Sequence, residues 1–359
     1  MGYHYMGLSD SYLSLAADEV FRRLRAARER LGDDLYLLVH HYQRDEVVAF
    51  ADALGDSLEL SRVAAQQTRP HYIVFCGVDF MAETAAMLCR PEQTVLIPEH
   101  GTLCPMAAMV TSEQAAVAWE RLSELWQGDL LPITYQNSDA EVKAQCGRWG
   151  GAVCTSANAG KLFHWALEQR GHLLFFPDEH LGRNTGLALG LQAAEIAVWD
   201  PRDVEASLRA AAGARLVVWK GYCHVHTHFT VEDVQRVRAA YPGVRVVVHP
   251  ECPTPVLQAA DASGSTSYIV KAVEQAAPGS SLAIGTEIHL VARLARLHPD
   301  CTIVPLSRSL CGTMYRIHER NLLATLESII AGRPQHIVRV EPETTRWANE
   351  ALGRMLAVS

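Results

Sequence analysis

The stretch Leu35-Tyr-Leu-Leu-Val-His-His-Tyr-Gln-Arg-Asp-Glu46 decides the fold. Its first five residues form an apolar run of strand length. From His40 onward it is polar and leads into a helical pattern. A short continuous apolar run reads as a strand buried on both faces, the habit of parallel sheets covered by helices. The same plan returns at Leu130-Leu-Pro-Ile-Thr-Tyr135, which runs into Gln136-Asn-Ser-Asp139 and Ala140-Glu-Val-Lys143. It returns again at Leu216-Val-Val-Trp219, which runs into a His-rich segment and the helical Thr230-Val-Glu-Asp-Val-Gln-Arg-Val237. Second strands are predicted at His71–Gly77, Ala152–Ser156 and Val244–Glu251, and third strands at Val95–Pro98, Leu173–Pro177 and Leu282–Gly285.

Strands alternating with helices predict an α/β chain with parallel sheets. A period of roughly a hundred residues is too long for a solenoid and suits small domains with single cores. The expectation is three pseudo-symmetric three-layer α/β domains: 1–112, with 305–359 packing back on it, 113–205, and 206–304. An amphipathic helix around Leu13 to Leu31 opens the chain.

Composition narrows the function. The formal net charge of −8 over 359 residues gives no basic footprint for nucleic acid or an anionic membrane. No apolar stretch reaches the length of a membrane span. The start, Met1-Gly-Tyr-His-Tyr-Met6, lacks the basic and apolar regions of a signal peptide. A cytoplasmic protein is expected. Its nine cysteines are then not a disulfide framework. No Cys-x-x-Cys pair occurs, so any metal held by cysteine must draw its ligands from distant parts of the chain.

The segment Trp219-Lys-Gly-Tyr-Cys-His-Val-His-Thr-His-Phe229 gathers one cysteine and three histidines where a strand ends and a helix begins. His40, Tyr42, Glu83, Cys104, Tyr135, Asn137, Ser156, Asp178, Cys223, His226, His249, Glu251 and Glu287 also follow strands closely. Ligands of open α/β sheets bind outside the carboxyl ends of strands. These groups are therefore expected to converge on one central cavity. Gly55-Asp-Ser57 and Gly264-Ser-Thr-Ser267 open helices, where free N–H groups suit phosphate or carboxylate, although Ser and Thr there also serve as plain caps. Cys76, Cys89 and Cys154 lie in apolar patterns and read as small buried hydrophobes, and Cys146 and Cys301 as loop residues. Residue chemistry alone does not separate Cys252 from a ligand.

Ten motifs in order give the chain a resemblance to the quinolinate synthase family. They are His40-x-Tyr42, Gly55-Asp-Ser-Leu-Glu-Leu60, Cys76-Gly-Val-x-Phe-Met-Ala-Glu-Thr84, Tyr135-x-Asn137, Cys154-Thr-Ser156, Cys223-x-x-His226, His249-Pro-Glu-Cys252, Gly264-Ser-Thr-Ser267, Gly285-Thr-Glu287 and Leu310-Cys-Gly-Thr-Met314. The resemblance implies condensation of iminosuccinate with dihydroxyacetone phosphate to quinolinate, in de novo NAD biosynthesis. It implies a [4Fe–4S] cluster held by Cys104, Cys223 and Cys311, with one iron left as a Lewis acid. It makes Cys252 a non-ligand. The implied catalytic residues are Glu251, Tyr42, His40 and His249. Substrate contacts are expected from His40, Ser57, Tyr135, Asn137, Ser156, His226, His249, Glu251, Ser265 and Thr266. Two further enzymes are implied as alternative functional partners, an iminosuccinate-producing aspartate oxidase or dehydrogenase.

The three histidines His40, His226 and His249 are expected to make the cavity locally basic. His224 and His228 alternate with His226 and are expected to face away from it. Three departures stand out from the family pattern: His41, Asp79 and an apparent insertion, Gly147-Arg-Trp-Gly-Gly151. A zinc site built from Cys223, His224, His226 and His228 is the main rival, and it would leave Cys104 and Cys311 without a role. An iron–sulfur sensor and a related three-domain radical enzyme are further alternatives.

Overall fold

The structure, a computed structural model, describes residues 8–358. Thirteen strands among these residues form three sheets, and every strand pair in them is parallel. The first contains β1 (Leu35–His40), β2 (Ala53–Gly55), β3 (Tyr72–Cys76) and β4 (Thr94–Leu96), in the order β2-β1-β3-β4. The second contains β5 (Leu130–Tyr135), β6 (Ala152–Cys154), β7 (His172–Phe176), β8 (Ile196–Trp199) and β9 (Leu216–Trp219), in the order β6-β5-β7-β9-β8. The third contains β10 (Arg245–Val248), β11 (Ala262–Ser263), β12 (Ser281–Gly285) and β13 (Thr302–Pro305), in the order β11-β10-β12-β13.

The α/β class with three parallel sheets is as expected, but the repeat is read in a different register. Leu216–Trp219 does not begin a third unit. It is β9, inserted between β7 and β8 of the second sheet. The first strands of the three sheets are β1, β5 and β10. The predicted second strands at His71–Gly77 and Val244–Glu251 are thus a third strand and a first strand. All of these runs are short, apolar and buried, so periodicity alone could not tell which run corresponded to which.

By internal contacts the chain forms two compact units. One runs to Leu103 and takes in Cys311–Val340; the other is Cys104–Leu310 with the residues from Glu341 onward. The second and third sheets therefore share a unit, where separate domains were expected. Of the segment 305–359, residues 311–340 group with the first sheet, through the bridge of Leu96 to Ile337. The helix Pro342–Val358 packs instead on the helix Ala140–Arg148 and on β6. Gly147 makes that crossing possible: a Cβ there would stand 1.9 Å from the Trp347 carbonyl oxygen. Gly150 supplies the positive φ of 78° that turns the chain back toward β6. The segment that looked inserted is the seat of the last helix.

Both faces of the second sheet are buried, by strict alternation. Ile133, Leu173, Phe175 and Val218 enter one core, and Leu174, Phe176, Val217 and Trp219 the other. Each large side chain taken from water in this way contributes about 1.5–3 kcal/mol. The third sheet has its own core around Val246, Val248, Ala283 and Leu306. Rigid buried strands thus present their carboxyl ends as fixed platforms.

Candidate active site and metal-binding group

In the larger unit, four strand ends deliver interacting groups. Tyr135 closes β5, His249 and Glu251 follow β10, Thr286 follows β12, and Cys223 and His226 follow β9. One carbonyl shapes the last of these turns. Cys223 O accepts from His226 N at 3.1 Å, Thr227 N at 3.0 Å and Thr227 Oγ1 at 2.9 Å. The resulting tight turn buries His226 and leaves His224 and His228 exposed, as the sequence suggested. A second turn, closed by Cys252 N on His249 O at 3.0 Å, carries Glu251.

Glu251 is the hub. Its carboxylate lies 2.7 Å from His226 Nδ1 and accepts a short hydrogen bond from the Tyr135 hydroxyl. His226 Nε2 meets Thr286 Oγ1 at 3.2 Å. The rings of His226 and His249 stack with centroids 4.1 Å apart. Glu251 N donates to His249 Nδ1 at 3.4 Å, which fixes the neutral His249 tautomer with its proton on Nε2. Ligand atoms of Cys223, His226 and Glu251 all lie within 4.8 Å of one another.

The electrostatics separate two carboxyls. Burial alone would raise Glu251, but His226, then His249, and the bonds from His226 and Tyr135 outweigh it and bring it down to about 2. Asp178 is fully buried and moves the other way, raised by burial first and by Glu251 second. Such a split is how a site keeps one carboxyl ionised beside a neutral one. Burial, then His226, pushes the His249 imidazole down to about 3. His249 therefore offers an N–H donor rather than a charge, which corrects the expectation of three basic histidines. Burial, then Glu251, raises the Tyr135 phenol, so it remains a donor.

Other predicted residues fall as follows. Ser156 lies two residues past β6 and hydrogen-bonds Tyr135, and Asn137 lies two past β5; both are half-buried. Ser265 is a helix cap, accepting from Tyr268 N at 3.3 Å, and Thr266 is buried beside it. Ser57 is the first residue of its helix; Asp56, in a capping box with Glu59, is the cap. Glu287 caps its own helix and pairs with His289 Nδ1 at 2.9 Å, a structural use. His40, Tyr42, Ser57 and Cys311 belong to the smaller unit. There His40 Nδ1 accepts from Tyr42 N at 3.1 Å, and the rings meet edge to face.

The cysteines sort by place. Cys76, Cys146, Cys154 and Cys252 are fully buried, and burial raises every one of these thiols, Cys146 to about 12. They are inert thiols. Cys146 lies in a helix with its Sγ 3.3 Å from Ala152 O, not in the loop expected of it. Cys89 is only half-buried. Cys104, Cys223 and Cys311 are half-buried too, and each follows the strand that flanks the third strand of its sheet: β4, β9 and β13. Cys104 and Cys223 pack against the same apolar cluster.

Sequence reasoning missed Thr286 as the partner of His226, although Gly285-Thr-Glu287 marked the place. From the sequence, Asp178 reads only as a strand-end group. No sequence signal pointed to Asn184, whose contacts lie on another sheet.

The profile described as Quinolinate synthetase A protein matches residues 22–357. The chain is 48% identical over 357 residues to the quinolinate synthase of Acidobacterium capsulatum, covering 97% of this chain and 95% of that one. It is 44% identical to the quinolinate synthases of Listeria monocytogenes and Bacillus anthracis, covering 97% of this chain and 96% of each.

Proposed function

From the premise that the chain belongs to the quinolinate synthase family, enzymes of NAD biosynthesis, we propose that it condenses iminosuccinate with dihydroxyacetone phosphate. Quinolinate forms, and phosphate and water leave. The observation that carries this reading is the placing of a thiol, an imidazole and an ionised carboxylate within 4.8 Å of one another. On this reading a metal ligand stands beside a proton-transfer pair.

The residues fit an iron–sulfur group. Three half-buried cysteines at matched strand ends are soft donors, and three thiolates leave a position open. Cys104, Cys223 and Cys311 would hold a [4Fe–4S] cluster, which when bound supplies a Lewis-acidic iron. Glu251, ionised and within bonding distance of His226, takes a proton from substrate carbon or nitrogen and returns it at the dehydration. Tyr135 and Ser156 orient substrate from the second sheet, with Asn137 beside them. His249 Nε2–H and the hydroxyls of Ser265 and Thr266 donate to substrate carboxylate or phosphate. His40, Tyr42 and Ser57 would be further substrate contacts, with Tyr42 a second proton carrier. Burial around Glu251 also excludes water from imines, which hydrolyse readily. Iminosuccinate, for the same reason, calls for a nearby supplier, an aspartate oxidase or dehydrogenase.

One observation favours a second reading: Cys, His and Glu donors at one point are also a zinc set. The test is an anaerobic assay in which iminosuccinate is generated in place and quinolinate is followed by mass, with iron and zinc measured on the same protein. Product together with iron and a visible absorbance supports the proposal. Stoichiometric zinc without visible absorbance supports the alternative. Cys104→Ser, Cys223→Ser and Cys311→Ser are each expected to lose iron, whereas Cys146→Ser keeps it. Unchanged iron in any of the first three removes that ligand.

A further inference from the structure

The turn His249-Pro-Glu-Cys252 is gripped from outside its own sheet. Asn184 lies in the helix Glu179–Ala188, which follows β7 of the second sheet. It is 8% exposed. Its Nδ2 donates to Pro250 O at 2.8 Å and to Cys252 O at 2.9 Å. Its Oδ1 accepts from Thr254 Oγ1 at 2.7 Å. An asparagine amide has two N–H donors and one acceptor oxygen. All of these are spent on residues 250–254, and the two carbonyls it takes belong to the residues on either side of Glu251.

We infer that Asn184 is a positioning residue for Glu251. The argument is geometric. Tyr135 stands on β5 and Glu251 behind β10, so their hydrogen bond joins two sheets that share no strand pair. Pro250 O on the amide fixes the peptide plane before Glu251, Cys252 N on His249 O fixes the plane after it, and Cys252 O ties the next plane to the same amide; together they set the direction of the Glu251 Cα–Cβ bond. The amide is itself anchored to the sheet that carries Tyr135. Asn184 therefore sets where the carboxylate of the third sheet meets the phenol of the second. Thr254 fixes which end of the amide faces the carbonyls. Aspartate is nearly the same shape but would turn an oxygen toward each carbonyl, so the site demands an amide and not merely a polar side chain. A misplacement of a reacting group by about 1 Å costs on the order of a hundredfold in rate.

The inference rests on the reading of Glu251 as the proton-transfer group, and the experiment separates the two. Full-length N184D, E251Q and the double variant are purified anaerobically with matched iron content, and kcat and KM are measured separately. N184D is expected to lose kcat by roughly 10- to 100-fold with KM within about threefold. In the E251Q background the same substitution should cost less than about threefold, because a residue acting through Glu251 has nothing left to position. Should N184D not fold, N184A takes its place in the same cycle. T254V keeps both carbonyl bonds and should stay within about twofold of the parent in kcat. A loss in N184D that repeats in full on E251Q shows a role in stability alone and overturns the inference. So does an N184D that turns over normally while E251Q is dead. Retained turnover in E251Q sinks the reading of Glu251 itself, and this inference with it.

Discussion

The first and third sheets solve the same local problems with the same devices and then part at one residue. Both have the first strand flanked by the second and third, with the fourth outside. In both, an aspartate before the second strand caps the first. Asp52 Oδ2 accepts from Leu37 N at 2.7 Å and Asp52 N donates to Leu37 O; Asp261 Oδ2 accepts from Val246 N at 2.7 Å and Asp261 N donates to Val246 O. Each aspartate pairs with an arginine of the helix that precedes the first strand, Arg28 and Arg238. Where the first strand ends, a histidine accepts on Nδ1 from the N–H two residues on, His40 from Tyr42 and His249 from Glu251. The backbone device sets the tautomer twice. The residue that carries the donor N–H is a phenol in one case and a carboxylate in the other. The scaffold repeats, while the chemistry is decided by one side chain and its neighbours: Glu251 has His226, His249 and Tyr135 around it, and these turn a buried carboxyl into a stable anion.

The largest effect should come from exchanging the two differing residues for near-isosteres. Glu251→Gln is expected to cut kcat by about 10²–10⁴-fold with iron content unchanged, whereas Tyr42→Phe should cost about tenfold. Equal losses at both positions would erase the distinction drawn between the two sheets.

Acid should expose the third sheet's histidine next. His249 has its imidazole near 3 in the fold against 6.5 unfolded, so the unfolded chain binds the extra proton between those values. Stability is complete above about pH 6.5 and declines as pH falls toward 3, by up to a few kcal/mol. Glu251, depressed from 4.5 to about 2, adds a loss in the same direction only below about pH 4.5. Across pH 6.5 to 4.5 the other histidines lowered by burial, His318 to about 4 and also His180 and His336, act in the same direction as His249, while Asp178, raised by burial, acts in the opposite one. His249→Phe should flatten the fall of the thermal midpoint across that range. An unaltered slope would show that His249 is not held neutral.

The shared aspartates should give the smallest effects, graded by exposure. The Asp52 and Arg28 side chains are 23% and 29% exposed, and those of Asp261 and Arg238 are 43% and 44% exposed. Asp52→Asn is expected to cost about 1–2 kcal/mol and Asp261→Asn under about 1 kcal/mol, read from denaturant midpoints. The reverse order would mean that strand capping, not the ion pair, sets the cost.

The strands and the residues at their ends were legible because both are local properties. Leu35–His40 and Leu130–Tyr135 are apolar for a strand's length and then turn polar, and the motif Cys223-x-x-His226 singles out the ring that is buried between the exposed His224 and His228. The correspondence of strands was not legible. β9 is as short and apolar as β1, and its neighbours β7 and β8 are fixed by pairing across the sheet, not by its own residues. The charge of the site was misjudged for a similar reason: histidine is basic in isolation, and only burial against His226 makes His249 neutral. Asn184 was invisible, since its meaning lies in carbonyls some seventy residues away.

By itself the sequence determined the α/β class, the family through ten ordered motifs, and the set of polar groups at the strand ends. Periodicity and hydrogen-bonding capacity belong to residues wherever they sit. The tertiary structure alone decided that β9 belongs to the second sheet, that the last helix rests on Gly147, and that Tyr135, His226 and Glu251 form one hydrogen-bonded group. Each of these depends on contacts between segments far apart in the chain, and on the low-polarity surroundings that such contacts create.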